Sequence, residues 1–231
     1  MSAAQTRGPA GGCLTTGALI TFEGGEGSGK STQVDRLAAW LTDRGHEVVV
    51  AREPGTTAVG ERVRRILLQE APDGLAPEAE LALFLAARAQ LAKEVLRPAL
   101  EAARIVLVDR YGDSSVAYQG YGREIGPESV AELNRWATHG LAPDLTILID
   151  VSVEDASERR GNRPPDRLER AGAEFHDRVR EGYRQMARKE PERFFMVDGR
   201  RSIEDIQQAI RDRVASLIEA LLEARAAQRM E

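Results

Sequence analysis

A run of small residues ends in a lysine and a hydroxyl: Gly24-Gly25-Glu26-Gly27-Ser28-Gly29-Lys30-Ser31. It fits G-x-x-x-x-G-K-[ST] and constrains the fold because it works only between a strand and a helix. Both flanks are present. The apolar stretch ALITFE (Ala18 to Glu23) precedes it, and a helical pattern opens at Lys30. Glycines let the backbone turn sharply, so that its N–H groups converge on phosphate oxygens. The first turn of the helix adds its positive dipole end. Lys30 supplies a mobile cation for the β- and γ-phosphates, and Ser31 a hydroxyl for Mg²⁺. The segment Gly24 to Thr32 is therefore read as a site for a nucleoside triphosphate, ATP, with Mg²⁺.

Four more apolar runs follow at intervals: EVVVA (Glu47 to Ala51), RIVLVD (Arg104 to Asp109), LTILID (Leu145 to Asp150) and RFFMVD (Arg193 to Asp198). They are nearly unbroken in apolar character, as strands buried on both faces should be. Helical patterns lie between them. Lys30 to Arg44 is one, with Gly45 placed as its C-terminal cap. Pro77 to Ala102 is another, with a kink expected at Pro98. Ser202 opens the last helix, with Asp205 three residues on in a capping pattern. Its apolar positions Ile203, Ile206, Ile210, Val214, Leu217 and Leu221 recur every three to four residues, which predicts one buried face. Strand and helix in alternation predict an α/β fold: a five-stranded parallel sheet flanked by helices, with ligands at the carboxyl ends of the strands. The stretch Arg159 to Gly172 breaks the pattern with glycines, two prolines and several arginines. It reads as a lid.

Composition excludes several classes. A formal charge of -5 gives no basic surface for bulk nucleic-acid binding. No apolar run is long enough to span a bilayer. Cys13 is the only cysteine, so no intrachain disulfide forms, in keeping with a reducing compartment. His46, His139 and His176 are scattered, without zinc-ligand spacing. Residues 1–17 lack the apolar core of a signal peptide and read as a flexible tail. A cytoplasmic protein is expected.

No N-K-x-D element of a GTPase is present, and the third strand ends Asp109-Arg110 rather than Asp-Glu. Arg52-Glu53-Pro54-Gly55 follows the second strand. Arginines at two carboxyl strand ends suit a second phosphate, that of an acceptor, and so favour a transferase over a hydrolase. A kinase for one of several monophosphates and a nucleotide-dependent switch that binds a partner both stay open at this level.

The ordered set FEGGEGSGKST, REPGTT, LFLAARAQL, DRYGDSSVAYQG, PDLTILIDV and the arginine-rich loop ending DRLE resembles thymidylate kinases from Leu19 to about Ile218. The resemblance implies a phosphate-loop fold over residues 18–222, a lid at about 159–172, a C-terminal tail at 223–231, a homodimer, and transfer of phosphoryl from ATP to dTMP. It implies that Arg52 and Arg110 grip the acceptor phosphate. It makes Asp109 the magnesium-site and catalytic carboxylate, and puts Glu26 near the acceptor sugar 3′-hydroxyl. Phe84 and Arg88 share a helix face at i and i+4; in the family the first stacks on thymine and the second bonds its O4. Ser115 falls where a polar residue meets the thymine edge, Tyr118 falls beside the sugar 2′ position, and Gln119 follows in the same acceptor loop. Some members carry a basic residue directly after the acidic one of the phosphate loop. Gly27 stands there in this chain, which points to Arg160 and Arg163 of the lid as the catalytic arginines.

Overall fold

The computed structural model describes residues 17–70, 75–160 and 167–228. In chain order the elements are β1 (Ala18–Glu23), α1 (Lys30–Thr42), β2 (Val48–Arg52), α2 (Ala58–Arg65), α3 (Pro77–Leu91), α4 (Arg97–Glu101) and β3 (Ile105–Asp109). Then come α5 (Gly112–Ser115), α6 (Pro127–Ala137), β4 (Leu145–Asp150), α7 (Val153–Arg160), α8 (Ala173–Lys189), β5 (Phe194–Asp198) and α9 (Ile203–Gln228). The strands form one parallel sheet in the order β2-β3-β1-β4-β5.

Alternation along the strands divides the core between the two faces. Ile20 and Phe22 of β1, Leu107 of β3 and Ile147 of β4 meet Val34, Leu37 and Leu41 of α1 and Ile206, Ile210 and Val214 of α9. Leu19, Val106 and Val108 point the other way, against Leu91, Leu96 and Leu100. Leu148 joins a third cluster with Leu85, Val130 and Val179. Leu37 is fully buried; cutting such a side chain to alanine costs about 2–5 kcal/mol.

The expectation of strands buried on both faces holds for β1 and fails at the margins. All of β1 is buried, whereas Val50 of β2 and Met196 of β5 are 47% and 53% exposed. The order of the strands is the reason: β2 and β5 are the edges.

Helix boundaries shift in ways that local chemistry explains. α1 stops at Thr42, short of Arg44; Gly45 then adopts a left-handed φ of 84° and its N–H bonds to the Thr42 carbonyl. Between α3 and α4 the chain widens into a π turn over Ala92–Leu96, just ahead of Pro98, whose ring cannot fit the regular ladder. Ser202 caps α9 as expected, its Oγ accepting the Asp205 N–H at 3.0 Å. α9 runs to Gln228, into the segment expected as a tail. The expected N-terminal tail, apart from Gly17, and positions 161–166 of the expected lid lie outside the described residues.

Candidate active site

The carboxyl ends of β1, β3 and β2 lie side by side, so the segments that follow them line one cleft of about 410 Å³. The turn after β1 is built on glycines at positive φ: Gly24 at 136°, Gly27 at 68° and Gly29 at 94°. At Gly27 a Cβ would stand 2.9 Å from the Ala156 carbonyl oxygen of α7. Lys30 is buried and folds back over the turn. Its Nζ donates to the Gly25 carbonyl at 2.7 Å, to Ser28 Oγ at 3.2 Å and to the Gly24 carbonyl at 3.3 Å. Burial, with the Arg110 guanidinium nearby, lowers Lys30 to about 8.

At the end of β3, Asp109 Oδ2 accepts the Ser31 hydroxyl at 2.5 Å. A hydroxyl and a carboxylate meeting at the mouth of a phosphate loop are hard oxygen donors and suit Mg²⁺. No group of three or more His, Cys, Asp or Glu that could hold a metal occurs among the described residues. The pair thus fits an ion that takes its remaining ligands from water and phosphate.

Arg110 has a left-handed backbone, φ 67°, rarely adopted by a residue with a side chain. That turn sends its guanidinium back over the phosphate loop. Nη1 donates to the Gly24 carbonyl at 2.9 Å, and Nη2 pairs with Glu26 and with Tyr118 Oη at 3.3 Å. Arg52, at the end of β2, is exposed and pairs with Glu61 of α2 at 3.0 Å. Arg64 also reaches the cleft and donates to the Pro54 carbonyl at 3.0 Å.

The far wall carries Phe84, Ser115, Tyr118 and Gln119, together with Leu68 and Leu168. Phe84 packs against Val63, Leu67 and Ala87 while facing the cleft. Arg88 lies behind that wall and is 1% exposed. Its Nε donates to Glu53 at 2.8 Å, Nη1 to Ser115 Oγ and Asn134 Oδ1, and Nη2 to the Tyr111 carbonyl. Its donors are committed to protein groups, and it forms a polar corner with Ser115 rather than projecting alone into the cleft. The second oxygen of Glu53 has no hydrogen-bond partner among the described residues. Gln119 donates to Glu80, which also takes Arg123 and Arg167.

Most of the predicted residues therefore converge: Glu26, Gly27, Gly29, Lys30, Ser31, Thr32, Arg52, Phe84, Asp109, Arg110, Ser115, Tyr118 and Gln119 line the one cleft. Gly24, Gly25 and Ser28 complete the loop under Lys30. Arg160 closes α7, but its side chain lies outside the described residues, as does Arg163 altogether. Arg64, Glu80 and Tyr183 escaped sequence reading, since each sits on a helix whose spacing looks like ordinary surface or core. Glu23 and Glu53 carried a signal, a carboxylate at or just past the end of an apolar strand run.

A phosphate loop after the central strand, a hydroxyl–carboxylate pair beside it and arginines across the same cleft define a phosphate-loop nucleotide-binding protein. The family model described as thymidylate kinase matches residues 22–210. The chain belongs to the thymidylate kinase family. It is 49% identical to the thymidylate kinase of Desulfovibrio desulfuricans over 215 residues, covering 90% of this chain and 97% of that one. It is also 49% identical to that of Clavibacter michiganensis over 207 residues, 89% of this chain and 98% of the relative. The solved thymidylate kinase of Ehrlichia chaffeensis superposes with a TM-score of 0.71 at 34% identity, over 86% of this chain and 99% of the other.

Proposed function

We propose that the chain transfers the γ-phosphoryl group of ATP to dTMP, giving dTDP and ADP. The observation that carries this is the continuity of the cleft, which joins the phosphate loop to Arg110, Arg52 and the Phe84–Ser115–Tyr118 wall without a partition. Donor and acceptor can then lie end to end, as in-line transfer requires. The bond from the γ-phosphorus to its bridging oxygen breaks as a dTMP phosphate oxygen attacks. That oxygen is already anionic, so no strong base is needed. Lys30 neutralises the γ-phosphate, Arg110 and Arg52 hold the acceptor phosphate, and Glu26 keeps Arg110 aimed and faces the sugar. Ser31 and Asp109 would hold Mg²⁺, which would supply positive charge against the phosphates. Arg160 and Arg163, in a lid at about 159–172, complete the neutralisation and exclude water. Phe84 stacks on the base, and the Arg88–Ser115 corner with Gln119 meets its edge.

Homodimerisation is proposed from the family resemblance. Val59 and Ile66 of the α2 segment and Leu133 and Trp136 of α6 are exposed apolar side chains, Trp136 at 74%, and are candidates for that contact. Sedimentation of an active 25.3 kDa monomer would contradict it. A cytoplasmic location is proposed from the lone cysteine; among the described residues no helix is long and apolar enough to cross a membrane. The test of the activity is a panel of nucleoside monophosphates assayed with Mg·ATP. Turnover should require the monophosphate and be fastest with dTMP; ATP hydrolysis indifferent to dTMP would refute the reading.

A further inference from the structure

Glu23 is the last residue of β1 and is fully buried, yet nothing in the transfer step above uses it. It gathers donors from two other parts of the chain. Oε1 accepts the Tyr111 N–H at 2.7 Å. Oε2 accepts the Ser114 hydroxyl at 2.6 Å and the Tyr183 hydroxyl at 2.8 Å. Those two hydroxyl oxygens are 2.9 Å apart and also face Arg110, whose Nη1 reaches Ser114 Oγ at 3.2 Å and Tyr183 Oη at 3.4 Å.

We propose that Glu23 is a positioning residue for phosphoryl transfer, which holds Arg110 over the phosphate loop by fixing the direction of the Ser114 and Tyr183 hydroxyls. The proposal rests on Arg110 gripping the acceptor phosphate. Each hydroxyl has one proton, and an ionised carboxylate can only accept. Both protons therefore point at Oε2, and both oxygens are left with lone pairs toward Arg110 Nη1. The third oxygen around that nitrogen is the carbonyl of Gly24, the residue joined to Glu23. Glu23 thus organises the acceptors on one side of the guanidinium, while Glu26 and Tyr118 hold the other.

A neutral group at this position breaks the arrangement. A protonated carboxyl or an amide must donate, so one hydroxyl becomes an acceptor and its proton turns into the space shared with Arg110. The guanidinium then loses a partner and swings more freely. Burial, and next the Asp113 carboxylate, push Glu23 up to about 7, against the Ser114 hydrogen bond and the Arg110 charge. Lys30 also senses it, and burial pushes Tyr118 and Tyr183 up so that both stay neutral. Protonation below about 7 mimics the amide. An acid limb in kcat follows, separate from the second ionisation of a phosphate monoester near 6.

The experiment measures kcat and the KM values for dTMP and ATP from about pH 5 to 9 in the wild-type chain and in Glu23→Gln, Tyr183→Phe and Arg110→Ala. Glu23→Gln should lower kcat roughly tenfold, leave the KM of ATP within about twofold, and remove the limb near 7 while keeping the lower one. Tyr183→Phe should lower kcat by a smaller factor, and adding it to Glu23→Gln should cost nothing further. Folded Glu23→Gln with wild-type kcat and an unchanged limb overturns the proposal. If Glu23→Gln does not fold, wild-type kcat and an unchanged limb in Tyr183→Phe overturn it. Loss of activity in Arg110→Ala beside full activity in both other variants rejects the role of Glu23 alone. Full activity in Arg110→Ala rejects the reading of Arg110 and the proposal together.

Discussion

Ser31 Oγ and Asp109 Oδ2 stand 2.5 Å apart although 78 positions separate them in the chain. The parallel pairing of β1 with β3, Phe22 opposite Asp109, brings them together. Strand register thus assembles this part of the site. Asp109→Asn keeps the shape but weakens the hard-donor pair. Its activity should fall and recover in part as Mg²⁺ is raised; a Mg²⁺ titration identical to wild type would remove Asp109 from the metal site.

Lys30→Ala deletes the cation that faces the γ-phosphate. Losing one transition-state charge contact costs about 3–4 kcal/mol, or roughly 10²–10³ in kcat. Among the described residues Lys30 hydrogen-bonds only within its own loop, so the fold should survive, with thermal unfolding close to wild type. Turnover near normal in that variant would sink the phosphate-loop assignment.

Arg160→Ala and Arg163→Ala test the lid. Gly27 leaves no basic side chain directly after Glu26, and in the reading proposed above the lid arginines supply that charge. Each variant should lower kcat more than it alters dTMP affinity, and the double variant should be worse than either. If all three keep full kcat, the lid arginines have no catalytic part.

Glu80 provides a pH-dependent stability test. It is buried, yet hydrogen bonds from Arg123, Gln119 and Arg167 outweigh the burial and hold its carboxyl below 4.5. A folded pKa below the unfolded one stabilises above about 4.5 and is lost as pH falls through the folded value. Glu80→Gln leaves two arginines short of a counter-charge. It should cost about 3 kcal/mol at neutral pH, and the gap in Tm between variant and wild type should narrow toward pH 3. A gap that stays constant with pH would show that the charge of Glu80 is irrelevant.

Base choice should follow the donors behind the wall. Arg88 Nη1 donates to Ser115 Oγ, which leaves the Ser115 hydroxyl, in the cleft wall, to donate its own proton, so the Arg88–Ser115 corner favours a base with a carbonyl at position 4. kcat/KM should run dTMP, then dUMP lower by roughly 10–200-fold for the missing methyl, then dCMP far behind. Arg88→Met also leaves Glu53 buried without its partner at 2.7 Å and will destabilise the chain. The ratio between substrates in one preparation cancels that loss, and the lead of dTMP over dCMP should shrink. Equal use of dCMP and dTMP by the wild-type chain would end the thymidylate reading.

Much of the fold was legible because it depends on local pattern. The five apolar runs became the five strands, and Gly45 and Ser202 cap where turn chemistry says they should. The edge positions of β2 and β5 were not legible, since strand order is a long-range property. In the site, the cleft-lining residues of the phosphate loop could be named from spacing alone. Arg88 could not be placed so well. Its spacing from Phe84 puts both on one helix face, but Glu53, Ser115 and Asn134 decide where the guanidinium ends, and they come from three other segments. Arg64 and Glu80 were missed for the same reason.

The close approach of α7 to the phosphate loop bears on how this chain can change. A side chain at position 27 would have to take a left-handed backbone and also displace the Ala156 carbonyl. A Gly27→Arg substitution therefore does not simply add a second arginine to a working site. It collides with α7. A charge carried at position 27 competes for space with α7, so one amino-acid change does not deliver it to the loop. Evolution or a protein engineer would have to move α7 first.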